Sequence, residues 1–286
     1  MIAGASLLVA SVAGGYYGAE LRVARHEEQR EQGRRQQLED ILACSYKVDV
    51  TSTYKYKYVN PLTGNNVEEL HDEESFGTAT AIASDAQGTY LLTSHHVVAD
   101  AAEKDEAVLV APFLFARAKA YLKKTTIRVT GDDANQEPAT VVTISEKNLP
   151  DTFDAFIEYP DLALIRTAHH HPSWGGRFAQ DVHPGDQLYS VGIAGGDWYK
   201  HLITGIVRST TDTTHPNTIT PTTLPLMGGN SGGGVWKVYN GPEGPELAFV
   251  GVNRATFKGP ELSAISSLDA VKTFLEHTDL KERYKR

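Results

Sequence analysis

Met227-Gly228-Gly229-Asn230-Ser231-Gly232-Gly233-Gly234-Val235 carries five glycines and one serine in nine residues. Inside a helix or strand each glycine costs about 0.5–1 kcal/mol relative to alanine. So glycine-rich a run marks a place where the backbone turns sharply, approaches a neighbour closely and aims its N–H groups at one spot. A serine at the apex of such a turn has the exposed hydroxyl and converging donors that acyl transfer requires. The competing reading is a flexible loop whose serine is incidental. The choice depends on whether the chain supplies a base and a carboxylate.

Two further stretches bear on that choice. Thr93-Ser94-His95-His96-Val97-Val98 follows directly on the apolar strand Thr89–Leu92. A histidine at this strand-to-helix corner is held by scaffold on one side and open on the other. An ordinary imidazole, with a pKa of about 6.5, then suits a general base near neutrality. His95 and His96 compete for that role. Asp161-Leu162-Ala163-Leu164-Ile165 places a carboxylate at the head of an apolar strand, where burial is costly unless the charge is paired. Holding an imidazole in one tautomer and stabilising its cation would supply the pairing. Asp151 and Asp154 are nearby alternatives, but neither leads into a comparable strand.

Taken together in the order His, Asp, Ser, the strings T-S-H-H-V, D-L-A-L-I and G-N-S-G-G resemble the three signatures of trypsin/chymotrypsin-like serine peptidases. The nearer likeness is to the bacterial HtrA (Deg) branch, which lacks disulfides. Phe76-Gly77-Thr78-Ala79, Thr204-Gly205-Ile206-Val207, Gly251-Val252-Asn253 and Ala264–Leu275 are similar to further parts of that pattern, so the likeness covers roughly residues 75–276. It implies an all-β fold of two six-stranded antiparallel β-barrels with the site in the cleft between them. It also implies Ser231 as nucleophile, His96 as general base and acid (the T-x-x-H pattern selects it over His95) and Asp161 as the imidazole's orienter. The backbone N–H groups of Gly229 and Ser231 would form the oxyanion hole, each such donor typically contributing about 2.7–4 kcal/mol to the transition state. The chemistry needs no cofactor and no metal, and the partner is a polypeptide substrate.

The same resemblance puts the walls of the substrate pocket at Pro225 and its neighbours and at Val252, Asn253 and Arg254. No acidic residue lies in the six positions before Ser231, which argues against a demand for Arg or Lys and for a medium apolar side chain at the cleaved position. Asn230 stands where digestive-type zymogens carry an aspartate that pairs with a newly cut N-terminus. Its neutral side chain closes that route, so the loop must be ordered by its own contacts, a partner or substrate. Two departures from the HtrA-type pattern stand out. The chain ends ten residues after Glu276, without a PDZ domain, and the long His96-to-Asp161 spacing implies an insertion within 101–136. Ala101–Lys124, rich in Ala and Lys, reads as a helix or long loop there.

The remaining composition fits. The chain has 286 residues, 41% hydrophobic and 22% charged, which is ordinary for a globular protein. A net charge of −9 provides no overall basic field, which argues against a nucleic-acid partner. The single cysteine, Cys44, allows no internal disulfide. It ends Ile41-Leu42-Ala43-Cys44, which mimics a lipidation box, but charges at Glu39 and Asp40 interrupt the hydrophobic core such a signal needs. Cys44 therefore reads as a small buried residue. Residues 1–19 have no charged side chain and just reach bilayer-spanning length, predicting a membrane anchor or export signal of undecided orientation. Residues 20–45 read as a charged, solvated spacer helix, and 46–276 as the peptidase domain with barrels at about 70–170 and 180–266. Residues 277–286 form a tail. Short alternating strands broken by Gly, Pro, Asn and Asp fill that domain until Leu268–Glu276, whose apolar residues recur at helical spacing. His169-His170-His171 and the loop tryptophans Trp174 and Trp198 read as surface loop and ordinary packing.

Overall fold

The computed structural model describes residues 27–145, 159–196, 199–208, 218–241, 244–256 and 262–281. The apolar segment 1–19, Asp151, Asp154 and Trp198 lie outside them. A helix over residues 27–43 (α1) leads into β1 (Ser45–Val59), β2 (Asn66–Asp85) and β3 (Gly88–Ser94). There follow α2 (His95–Val98), β4 (Glu103–Ala111), β5 (Leu114–Thr130), β6 (Gln136–Ile144) and β7 (Leu162–Thr167). The second half contains β8 (Gln187–Gly192), β9 (His201–Ile206), β10 (Ile219–Thr222), β11 (Gly234–Gly241), β12 (Gly244–Thr256), β13 (Ser263–Ser266) and α3 (Leu268–Glu276).

The first sheet runs β1-β2-β3-β7-β6-β5-β4, and a further pairing of β1 with β5 closes its first six strands into a barrel. β4 is a seventh strand, hydrogen-bonded to the first half of β5 outside the closed ring. The second sheet runs β10-β13-β12-β11-β8-β9, and an antiparallel bridge from Val207, just past β9, to Thr222 of β10 brings its two edges together. All strand pairs in both sheets are antiparallel. The architecture is the expected all-β pair of barrels with a short C-terminal helix.

Three expectations need correction. Ala101–Lys124 is neither helix nor loop: β4 and β5 form a hairpin that, with the outer halves of β1 and β2, extends the first barrel as a sheet. Alanine hides this because on β5 it alternates as Ala116, Ala118 and Ala120, all buried, with charged residues between. A period of two is a strand pattern whatever the residue's helix propensity. Tyr54 and Tyr56 of β1 pack on Ala118 and Ala120 as a small satellite core. Next, the first barrel begins at Ser45 rather than near residue 70, because β1 is one of its closing strands. Finally, α1 is exposed through residue 36 as a spacer would be, but its last turns are not solvated. Ile41 and Cys44 are buried, and Leu38 and Leu42 pack against the same core.

That core spans both sheets. Leu91, Leu92, Leu164 and Ile165 of the first barrel share one cluster with Tyr189, Val191, Trp236 and Phe249 of the second. Trp236 is fully buried at the seam, edge-on to Trp174 at 5.8 Å and Phe249 at 5.6 Å. Each large apolar side chain so buried contributes about 1.5–3 kcal/mol, so the two barrels are welded at the place where the candidate residues converge. Across the second barrel, Ser267 caps α3 by accepting from the Ala270 N–H at 3.1 Å, and Leu268, Val271, Phe274 and Leu275 turn inward.

Candidate active site

β3 delivers His95 and His96 to the seam, where the chain breaks from strand into the single turn of α2. β7 runs antiparallel beside β3, with Leu162 opposite Ser94. This register sets Asp161, the residue before β7, next to the two histidines. Asp161 is buried and has a φ of +53°, the left-handed region that aspartate tolerates better than most residues. Three bonds hold it there. Its carbonyl accepts from the His95 N–H at 3.1 Å, Oδ1 accepts from the His96 N–H at 3.0 Å, and Oδ2 accepts from His96 Nδ1 at 2.7 Å. A carboxylate gripping both the backbone and the ring of one residue fixes the ring's orientation and tautomer, leaving Nε2 to face outward. The imidazole is 42% exposed while the carboxylate is 3% exposed, so one end of the pair is wet and the other dry.

His95 goes the other way. It is buried, and its ring packs on Tyr159 at 5.4 Å. The two adjacent histidines thus divide into one accessible side chain and one packed one.

The glycine-rich loop enters from the second barrel. Gly229 has φ +94°, and the Asn230 N–H donates to the Met227 carbonyl at 3.0 Å. Positive φ at the third residue with this bond from the fourth to the first is type II turn geometry, which glycine alone adopts cheaply. The carbonyl of Gly228 is drawn away by the Gly195 N–H, 2.9 Å, from the turn at Ala194–Gly196. Because a trans peptide sets its N–H opposite its carbonyl, the Gly229 N–H points to the other side. Among the described residues neither that N–H nor that of Ser231 meets a protein acceptor.

Sequence reasoning met Thr78 only as part of the string Phe76–Ala79 and gave it no role, yet it pins this loop to the first barrel. Its hydroxyl donates to the Gly229 carbonyl at 2.8 Å and accepts from the Ile193 N–H at 3.0 Å, while its own N–H donates to the Ser231 carbonyl at 2.8 Å. Behind it, Thr93 Oγ1 donates to the Thr78 carbonyl at 2.7 Å. Gly232, φ +88°, lies so close to this point that an added Cβ would sit 2.0 Å from the Thr78 carbonyl. Asn230 is buried, and its carbonyl accepts from Gly233 N–H at 3.1 Å and Asn253 Nδ2 at 3.2 Å. The loop is therefore ordered by contacts within the chain.

The expected pocket residues are placed unequally. Pro225 is exposed, and Met227 beside it is 64% exposed. Val252 and Asn253 are buried; Asn253 Nδ2 donates to Ser190 Oγ at 2.7 Å, and its N–H and carbonyl are bonded to the Gly233 carbonyl and the Gly232 N–H, each at 2.8 Å, so both its side chain and its main chain are engaged within the protein. Arg254 is buried too, with Nε 3.6 Å from Asp161 Oδ2. Burial brings its guanidinium down to about 10, opposed by the attraction of Asp161, so it stays charged at neutral pH. Its carbonyl accepts from Ser231 Oγ at 3.4 Å. Ser231, Arg254, Asp161 and His96 thus form one connected cluster, in which the Ser231 hydroxyl leans on the Arg254 carbonyl. Away from it, His171 and His169 flank Glu137 at 2.8 and 3.4 Å, and among the described residues no three or more His, Cys, Asp or Glu are arranged to hold a metal ion.

A sequence profile described as a trypsin-like peptidase domain matches residues 77–241, more than half of the chain. The chain belongs to that family. Among solved structures, an HtrA-type protease bound to a decapeptide aligns with a TM-score of 0.51 and 19% identity, over 79% of this chain and 62% of its own. A serine endoprotease from Yersinia pestis aligns with a TM-score of 0.50 and 18% identity, over 85% of this chain and 65% of its own. The chain thus spans just under two thirds of either neighbour, and the shared feature is the fold of an HtrA-type protease domain. No curated protein sequence matches it.

Proposed function

We propose that this trypsin-like peptidase domain is an active serine endopeptidase acting through an acyl-enzyme on polypeptides. The observation that carries the reading is the grip of Asp161 on His96, through the backbone N–H at 3.0 Å and the ring Nδ1 at 2.7 Å. In the proposed cycle Ser231 Oγ attacks the scissile carbonyl carbon and His96 Nε2 takes its proton. The imidazolium so formed keeps its Nδ1–H on Asp161, then returns the proton to the departing amine. Water repeats the sequence to release the acyl group. The Gly229 and Ser231 N–H groups receive the oxyanion, a role supported by the turned peptide at Gly228–Gly229. A decapeptide accompanies one structural neighbour, which supports a polypeptide as the ligand.

A second reading, a latent peptidase fold that binds without cutting, is favoured by one contact: the Ser231 hydroxyl lies on the Arg254 carbonyl at 3.4 Å. That bond is long, and a hydroxyl rotates freely enough for substrate to redirect it. Incubation with a denatured protein separates the readings. Wild type is expected to release peptides and Ser231→Ala none; an intact substrate after both would favour the latent form. Mapping the cut sites tests the expected preference for medium apolar residues.

Membrane tethering is a further part of the proposal and rests on the uncharged residues 1–19. Among the described residues no helix is long and apolar enough to cross a membrane. The folded peptidase unit is proposed to start near residue 38, where α1 first meets the core.

A further inference from the structure

We propose that the tip of the β4–β5 hairpin enters the surface of a lipid bilayer and so orients the peptidase domain on a membrane. Residues 107–116 read A-V-L-V-A-P-F-L-F-A, ten positions without a charged or hydrogen-bonding side chain. They form the end of β4, a two-residue turn and the start of β5, with Ala111 paired to Leu114 and Leu109 to Phe115. Phe113, in the turn, is 97% exposed, and Leu109 and Phe115 are 60% and 61% exposed. Three large apolar side chains thus forgo the burial that ordinarily holds such residues inside.

The backbone adds a second observation. Phe113 has φ +66° at the third position of the turn, which ordinarily carries glycine or asparagine. A bulky residue there is strained, and its side chain gains no burial in return. The turn would form more easily without the ring, so what retains the ring lies outside the fold.

The pattern favours lipid over a protein partner. A partner that covers one face of a sheet leaves the other face polar. Behind the tip β5 keeps that alternation, Ala116, Ala118 and Ala120 between Arg117 and Lys119. Beyond Arg117 both faces and the end of the hairpin are apolar, which suits a medium that surrounds the tip. Arg117, opposite Ala107, is the first charged residue behind it. Four residues of extended chain, about 13 Å, separate Arg117 from Phe113, enough to pass the headgroup layer and reach the acyl chains. Nearby, the pairing of Lys57 with Lys119 brings the β1–β2 turn to the same end of the sheet, with exposed Val59 and Leu62. The cations behind the tip have acidic partners: Arg117 with Asp105 and Lys119 with Glu103 at 3.0 Å, Lys57 with Glu68 at 2.9 Å. With a net charge of −9 as well, apolar transfer and not attraction to anionic headgroups drives the contact. Residues 1–19 supply the uncharged length that brings the chain to a bilayer, and the choice of lipid as occupant rests on that reading of them.

The test uses the full chain with Ala111→Cys carrying an environment-sensitive nitrobenzoxadiazole fluorophore; wild type, whose single cysteine Cys44 is buried, is the labelling blank. Phosphatidylcholine vesicles are added, and co-sedimentation and the emission spectrum are both read. The expected result is co-sedimentation with a blue-shifted, brighter emission that persists at high salt. Combining Phe113→Gly, which relieves the turn, with Phe115→Ser is expected to abolish the shift while co-sedimentation through residues 1–19 continues. Each aromatic ring removed lowers insertion by about tenfold or more. Co-sedimentation without a spectral change overturns the hairpin contact and leaves the tether standing; absence of both signals overturns both. A shift unchanged in the double variant, or lost at high salt, overturns insertion by the aromatic tip. A shift that grows with protein concentration in the absence of vesicles overturns the lipid assignment in favour of a second copy of this chain.

Discussion

The hydroxyl of Thr78 donates to the carbonyl of Gly229 at 2.8 Å, tying the first barrel to the loop of the second at the one residue of that loop with φ +94°. The same hydroxyl accepts the Ile193 N–H, so one small side chain orders two segments of the second barrel. Thr78→Val keeps the shape and leaves both partners without their bond. Buried groups so orphaned cost about 1–3 kcal/mol each. The expected outcome is a folded protein with a lower midpoint of thermal unfolding and a kcat reduced by about tenfold or more, as the turn at Gly229 loosens. Unchanged kcat would show that the turn holds itself.

The paired histidines give opposite predictions. His96→Ala is expected to lower kcat by about four to six orders of magnitude, as loss of the base does in this chemistry. His95→Ala removes a buried ring packed on Tyr159. It should cost about 1–2 kcal/mol of stability and leave kcat within a few-fold at temperatures where the variant is folded. Steady-state kinetics alongside thermal melts decide the matter, and a reversed ranking contradicts the assignment.

The last turns of α1 belong to the folded body. A chain starting at residue 37 is expected to fold as stably as the full chain. One starting at residue 46 loses Ile41 and Cys44 from the core and should be markedly destabilised. Ile41→Ala alone is expected to cost about 2–5 kcal/mol in denaturant unfolding. Equal stability of all three would mean the helix merely rests on the surface.

Cys44 is buried, and burial pushes its thiol up to about 12. Thiolate, not thiol, is the reactive form. Native protein is therefore expected to resist alkylation by iodoacetamide at pH 8, and to react with one equivalent once unfolded in denaturant. Rapid native modification, read by intact mass, would place Cys44 at the surface.

Much of this was legible in the sequence because the chemistry is written in local strings. The strands around His96, Asp161 and Ser231 show alternation or short apolar runs, and the glycine-rich loop states its own backbone demands. What stayed hidden depends on separation along the chain. Thr78 meets Gly229 across 151 residues, and nothing around Thr78 marks its hydroxyl as a bridge. Arg254 reads as a pocket wall until the structure turns its side chain inward to Asp161. The β4–β5 hairpin was obscured by alanine and lysine, whose helix propensity is overridden once Ala118 and Ala120 find Tyr54 and Tyr56. The apolar docking of α1 rests on four residues, Leu38, Ile41, Leu42 and Cys44, too few to stand out in a segment made mostly of Glu, Gln and Arg.

The central claim is that Ser231 is a nucleophile activated by His96 and Asp161. Treatment with a fluorophosphonate probe, followed by mass spectrometry of the digested protein, tests it most directly. The account predicts one adduct, on Ser231, absent in Ser231→Ala and strongly slowed in His96→Ala. A wild-type protein that stays unmodified, or an adduct that persists in Ser231→Ala, would contradict it.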